Sequence, residues 1–163
     1  KAYLDFPKKG ILFRDISPVL LDPILFNDLI HEMSKFEGFN KAECIVGIDA
    51  RGFIFGSAIS FLIKKPLLMA RKKNKLPGQL LQKRYGLEYG EDSLSIQEEI
   101  LERYNSFILV DDLLATGGTA KCISDLIQQK NKQVVGLSVV IELEELCGKE
   151  KLSFDVDSQI RFS

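Results

Sequence analysis

The chemistry in this chain concentrates in Phe107-Ile108-Leu109-Val110-Asp111-Asp112-Leu113-Leu114-Ala115-Thr116-Gly117-Gly118-Thr119. An apolar, strand-like run delivers two adjacent carboxylates, and a short loop with glycines and threonines leads into a helix. Glycines let backbone N–H groups converge with no Cβ in the way. The first turn of a helix adds unpaired donors and a partial positive charge. With the Thr116 and Thr119 hydroxyls these groups form a cradle for one phosphate. The carboxylates of Asp111 and Asp112 accept hydrogen bonds from a diol. A diol beside a phosphate cradle fits ribose 5-phosphate. The plainer alternative is a capped helix after a strand with solvated aspartates. The segment is neither a Walker A loop nor a GxGxxG dinucleotide fingerprint, since neither pattern occurs.

Three further stretches carry chemistry-bearing side chains. Asp49-Ala50-Arg51-Gly52 follows the apolar run Cys44 to Ile48. Arg71, Lys72 and Lys75 cluster in one basic stretch that, taken alone, reads as a solvated loop. Asn74 lies within it, a residue type that tolerates the left-handed conformation. Glu88 and Tyr89 stand in the glycine-flanked stretch Gly86 to Gly90, which has the polarity of a movable flap.

The elements that must position these groups are legible from pattern. Asp22-Pro23 reads as an N-cap followed by proline at the first helical position. Ile24, Phe26, Leu29, Ile30, Met33 and Phe36 then recur at helical spacing. His31 lies beside that stripe and reads as a bystander. Cys44 to Ile48 suits a strand buried on both faces, Gly52 to Ile63 a buried helix, and Pro66 to Ala70 a second strand. Residues 79 to 97 look like a hairpin or extended flap. Phe107 to Val110 is a third strand, with Asp111-Asp112 expected just beyond it, and Val134 to Ile141 is a fourth. Residues 153 to 163 show no pattern that places them. Strands alternating with helices predict an α/β fold: a mostly parallel sheet flanked by helices. In such sheets the ligand site lies beyond the carboxyl ends of the strands, where these motifs fall.

Composition narrows the function classes. With 163 residues, 45% of them hydrophobic, the chain predicts one domain, 1–163, with a sizeable core. The net charge of -1 lacks the basic excess of a nucleic-acid binder, so no nucleic-acid partner is expected. Three widely spaced cysteines without a CxxC, and a single histidine, predict neither a disulfide framework nor a zinc or iron site. They point to a reducing, cytoplasmic setting. No apolar run approaches the roughly 20 residues that span a bilayer, so no membrane partner is expected. The first residue is Lys1 rather than Met, so a short N-terminal stretch is expected to precede it.

The segment from Val110 to Thr119 resembles the phosphoribosyl-pyrophosphate motif of the type I phosphoribosyltransferases, and its form is similar to the adenine-specific branch. Four other stretches resemble the same branch in the same order: Asp5-Phe6-Pro7 with Gly10 to Pro18 (an N-terminal hood), Gly47 to Phe53, Arg71 to Gly78, and Tyr85 to Gly90 (a mobile flap). The likeness runs from about residue 5 to residue 152.

The resemblance implies a type I phosphoribosyltransferase fold with a small hood over about 1–20 and a basic loop and flap over about 71–97. It implies that adenine and phosphoribosyl pyrophosphate react to give AMP and pyrophosphate. Asp111, Asp112, Ala115, Thr116, Gly117, Gly118 and Thr119 would hold the ribose 5-phosphate. Arg51, Arg71, Lys72 and Lys75 would meet the pyrophosphate, Arg51 also serving in catalysis. Adenine would meet the Leu12 carbonyl and the Arg14 N–H, between Phe13 and Leu113. Glu88 would act as general acid, and Tyr89 would close the flap. Mg2+ would be held mainly by the substrate rather than by protein ligands, and a homodimer would complete the site. Two alternatives stand beside this reading: a phosphoribosyltransferase for another purine base, and a regulatory protein that binds phosphoribosyl pyrophosphate. The hood and the Leu113-Leu114-Ala115-Thr116 form argue against the first, and the presence of Glu88 and the flap against the second.

Overall fold

In the computed structural model the described residues are 1–6, 8–10, 12–87 and 90–163, with the backbone alone described for 85–87 and 90–92. In chain order the elements are β1 (Ala2–Leu4), β2 (Leu12–Arg14), α1 (Ser17–Leu21), α2 (Pro23–Ser34), α3 (Gly38–Lys41), β3 (Cys44–Ile48), α4 (Gly52–Ile63), β4 (Leu67–Lys72), β5 (Leu80–Leu87), β6 (Gly90–Gln97), α5 (Glu98–Glu102), β7 (Ser106–Leu114), α6 (Gly118–Gln128), β8 (Gln133–Leu143) and β9 (Asp155–Phe162). Two single helical turns, Glu144–Leu146 and Gly148–Lys151, join β8 to β9.

The main sheet has seven strands in the order β5-β6-β4-β3-β7-β8-β9. Strands β4, β3, β7, β8 and β9 run parallel, and the β5–β6 hairpin is added antiparallel at one edge. Alternation along the buried strands feeds two cores. Cys44, Val46 and Ile48 face one side with Phe107 and Leu109, under α5 and α6. Ile45 faces the other side with Ile108 and Val110, under α1 to α4. A strand buried on both faces needs a continuous apolar run, which these segments have. The expected mostly parallel sheet flanked by helices is the observed architecture.

Several local expectations hold. The Asp22 side chain accepts from the Ile24 and Leu25 N–H groups at 3.0 Å each, capping α2 at the position its Asp-Pro pair marks. Asn74 adopts φ 63°, the left-handed conformation its residue type tolerates. His31 lies on the exposed side of α2.

Three segments differ from the pattern-based reading. β7 does not stop at Val110 but pairs with β8 through Asp111, Leu113 and Leu114, because alternate residues there still face a buried side. Arg71 and Lys72 are the last residues of β4 rather than loop, held by pairing with Ser95 and Leu94. The unplaced terminal segment forms β9, which pairs with β8 from Gly136↔Asp155 to Leu143↔Phe162. Its polar composition suits an edge strand, whose outer face meets water.

Candidate active site

The carboxyl ends of β3, β7 and β8 open into a groove of about 720 Å³. It is lined by Leu12, Phe13, Arg14, Arg51 and Lys72, and by every residue from Asp111 to Ala120. Segments remote in sequence meet there because β3 and β7 are neighbours in the sheet.

The floor is the end of β7. Asp112 is only 5% exposed and its Oδ2 accepts from Arg51 Nε at 2.5 Å. The Asp112 N–H donates to Asp111 Oδ1 at 2.8 Å. Burial first, then the adjacent Asp112 carboxylate, push the Asp111 carboxyl well above the usual carboxylate range. The strand reaches Asp111 beneath α4 because Gly52 opens that helix without a side chain. A Cβ on Gly52 would stand 2.6 Å from the Val110 carbonyl oxygen and 3.1 Å from Asp111 Oδ1.

The loop after β7 turns into α6 at Gly117, which has φ +76° and provides no side-chain cap. The first turn of α6 is left without a side-chain cap, and its Gly118, Thr119 and Ala120 form part of the groove wall. A helix start of this kind binds anions through backbone donors and the helix dipole.

The roof is β2. Asp15 N–H donates to the Lys1 carbonyl at 2.8 Å, and the Lys1 amino group donates to the Asp15 carbonyl at 3.3 Å. Antiparallel pairing alternates, so Phe13 opposite Tyr3 also turns its main-chain groups toward β1. Leu12 and Arg14 then turn theirs to the opposite edge. That edge presents a carbonyl and an N–H to the groove that both residues line. The Arg14 guanidinium stacks 3.9 Å from the Phe162 ring centroid, tying the roof to β9. Arg51 Cζ lies 5.8 Å from the Phe13 ring centroid.

The basic residues divide. Lys72 lines the groove. Arg71 and Lys75 do not line it: Arg71 Nε donates to Asp49 Oδ2 at 3.2 Å and its Nη1 to the Lys75 carbonyl at 3.5 Å. Leu113 lines the groove as expected. Glu88 and Tyr89 lie outside the described residues, as do Pro7 and Ile11 of the hood motif. Asp49, which the sequence marks at a strand end, acts as a bridge, while Leu143, Leu146 and Phe162 were not singled out from sequence. Asp49 ties β3 to β4, accepting also from the Lys72 N–H at 3.3 Å. Leu143 and Leu146 form apolar wall, and Phe162 carries no local mark at all.

Among the described residues, no three His, Cys, Asp or Glu side chains gather as a metal-binding cluster. Asp111 and Asp112 supply hard carboxylate oxygens of the kind that suits Mg2+, which takes one or two carboxylates together with substrate oxygens and water.

Comparison with known proteins decides the family. A model of the phosphoribosyl transferase domain matches residues 22–160. An adenine phosphoribosyltransferase of Prochlorococcus marinus is 54% identical over 99% of this chain and 95% of its own length. The chain belongs to the adenine phosphoribosyltransferase family. The crystal structure of the adenine phosphoribosyltransferase from Thermoanaerobacter pseudethanolicus superposes with a TM-score of 0.93 at 40% identity, covering 99% of this chain and 95% of that one. The Saccharomyces cerevisiae family member, solved with adenine and an imino-altritol bisphosphate, gives a TM-score of 0.88 at 34% identity, covering 98% and 93%. The fold is therefore the type I phosphoribosyltransferase fold. The roof and floor of the groove fall within the stretches that resemble the family's hood and its phosphoribosyl-pyrophosphate motif.

Proposed function

We propose that this groove joins adenine to phosphoribosyl pyrophosphate, releasing AMP and pyrophosphate, and that the residues lining it carry the reaction. As a member of its family the chain is a transferase, a pentosyltransferase. The observation that supports the assignment of roles is the meeting of three parts in one groove: the carboxylates of β7, the uncapped start of α6 and the outward edge of β2.

The N–H groups from Ala115 to Thr119 and the Thr116 and Thr119 hydroxyls bind the 5-phosphate. Asp111 and Asp112 accept from the ribose hydroxyls. The Leu12 carbonyl accepts from the adenine amino group and the Arg14 N–H donates to a ring nitrogen, with Phe13 and Leu113 on the ring faces. The lone pair of the purine N9 attacks C1 of the ribose, the bond from C1 to the pyrophosphate oxygen breaks with its electron pair leaving on pyrophosphate, and the ring proton of the neutral base passes from the far ring nitrogen to Glu88. Arg51 and Lys72 meet the departing charge, which is stabilisation placed where charge develops. Mg2+ bound with the substrate supplies further neutralisation of that leaving group. Arg71 and Lys75, outside this chain's own groove, are assigned to pyrophosphate binding across a subunit boundary. Glu88 shares a proton with the far ring nitrogen, and Tyr89 closes the flap and excludes water.

A homodimer is supported by Ile54 and Phe61, two helical turns apart on one face of α4 and exposed, Phe61 by 89%. We assign 1–163 to one domain with a hood over about 1–20 and a basic loop and flap over about 71–97. The cytoplasm is supported by three unpaired thiols. Among the described residues no helix is long and apolar enough to cross a membrane.

Incubation with phosphoribosyl pyrophosphate, Mg2+ and one purine at a time tests the reading. AMP should form readily, while hypoxanthine and guanine should be poor substrates. A base with a 6-oxo group leaves the Leu12 carbonyl unpaired, at about 1–3 kcal/mol. Equal turnover of hypoxanthine would move the base site away from β2.

A further inference from the structure

The turn between β8 and β9 meets the loop from Ala115 to Gly117 backbone to backbone at Gly148. A Cβ on Gly148 would overlap the Ala115 carbonyl oxygen and stand 2.9 Å from the Gly117 nitrogen. From the other side, a Cβ on Gly117 would overlap the Gly148 carbonyl oxygen and stand 3.1 Å from the Gly148 carbonyl carbon. Neither position has room for any side chain, and Gly117 also needs its φ of +76°. The contact joins two stretches of chain that are remote in sequence.

The Gly148 side of the contact is held firmly. Cys147 N–H donates to the Glu144 carbonyl at 3.0 Å, Glu150 N–H to the Cys147 carbonyl at 3.2 Å, and Leu152 N–H to the Lys149 carbonyl at 3.1 Å. Leu152 packs on the core beneath α6, and Leu146 lines the groove itself. In the loop from Ala115 to Gly117 the Gly117 carbonyl accepts from the Lys121 N–H at 2.9 Å, within the first turn of α6, and a phosphate cradle works only if its N–H groups are aimed before the ligand arrives. The Ala115 carbonyl matters in the opposite sense. Turned toward a phosphate, an acceptor oxygen would repel it; packed against Gly148, it is kept in place.

We infer that Gly148 is a positioning residue for the 5-phosphate site: the turn after β8 is a rigid backstop that sets the aim of the Ala115–Gly117 backbone and so the affinity for the phosphate. This rests on the assignment of that loop to the 5-phosphate.

The test compares Gly148→Ala and Thr116→Val with the parent, measuring ribose 5-phosphate binding by calorimetry, KM for adenine, and Tm. Displacement of a positioned group by about 1 Å can cost on the order of 100-fold, so Gly148→Ala should weaken ribose 5-phosphate by about tenfold or more while KM for adenine stays within about twofold. A purely structural defect would lower Tm and affect both ligands alike. If Thr116→Val weakens binding and Gly148→Ala does not, Gly148 has no positioning role and the phosphate assignment stands. If neither weakens it, the phosphate assignment falls and the inference with it. Should Gly148→Ala fail to fold, hydrogen exchange on the parent decides. Ribose 5-phosphate should slow exchange at 147–150 together with 116–119, and protection confined to 116–119 overturns the backstop.

Discussion

Arg51 Nε lies 2.5 Å from Asp112 Oδ2, an ion pair between the start of α4 and the end of β7 that spans the floor of the groove. Its two ends sit in different surroundings: the Asp112 side chain is 8% exposed and that of Arg51 51%. The pair joins the residue assigned to the leaving pyrophosphate with one assigned to the ribose.

Because the arginine end is wet, the pair adds little to stability, about 1 kcal/mol or less. Its weight should fall on substrate. Arg51→Ala and Asp112→Asn should each lower kcat/KM for phosphoribosyl pyrophosphate by about tenfold or more, and the double variant should lose less than the sum, since residues in contact are not additive. Four kcat/KM values complete the cycle. Strictly additive losses would separate the two residues functionally.

Asp111 offers a pH-dependent prediction. Burial raises its carboxyl above the ordinary range, so above that range the folded protein holds a proton that the unfolded chain has released. Stability from this group is then full at low pH and declines as pH rises through the usual aspartate range and beyond. Asp111→Asn removes the decline. The variant should melt above the parent at neutral pH, by roughly 2–4 °C for each kcal/mol regained. The gap should close on acidification, while ribose 5-phosphate binds more weakly. Melting curves across pH check the sign, and a variant that melts below the parent at neutral pH contradicts it.

Glu88 is assigned to general acid–base catalysis, taking the ring proton during synthesis and returning it in reverse, on its place in the glycine-flanked flap sequence. Electron demand rises at the far ring nitrogen as N9 bonds to carbon. A carboxyl group sharing a proton there is worth about 10²–10⁴-fold. Glu88→Leu should therefore reduce kcat far more than it changes ribose 5-phosphate binding, with Glu88→Gln intermediate. Turnover of adenine at the parent rate by both variants would send the search for the proton acceptor elsewhere.

Local order was written in the sequence. The Asp22-Pro23 cap, the α4 span, the left-handed Asn74 and the 79–97 hairpin follow from side-chain chemistry and hydrophobic period, which act over a few residues. So does the run from Asp111 to Thr119, whose residue types belong to one strand-to-helix turn. The extension of β7 to Leu114 and the whole of β9 were not legible. Both depend on a neighbouring strand, β8, to supply hydrogen bonds that no local pattern announces. The same holds for the contacts that finish the site. The Arg51–Asp112 pair, Phe162 beneath Arg14, the Asp49 bridge to Arg71 and the Gly117–Gly148 approach each join residues far apart in the chain. Sheet order makes them neighbours: placing β3, β7, β8 and β9 side by side aligns their carboxyl ends. The sequence determined which groups could bind a phosphoribosyl group and a purine. Only the tertiary structure decided which of them face one another, because strand order is set by packing over the whole core rather than by any segment alone.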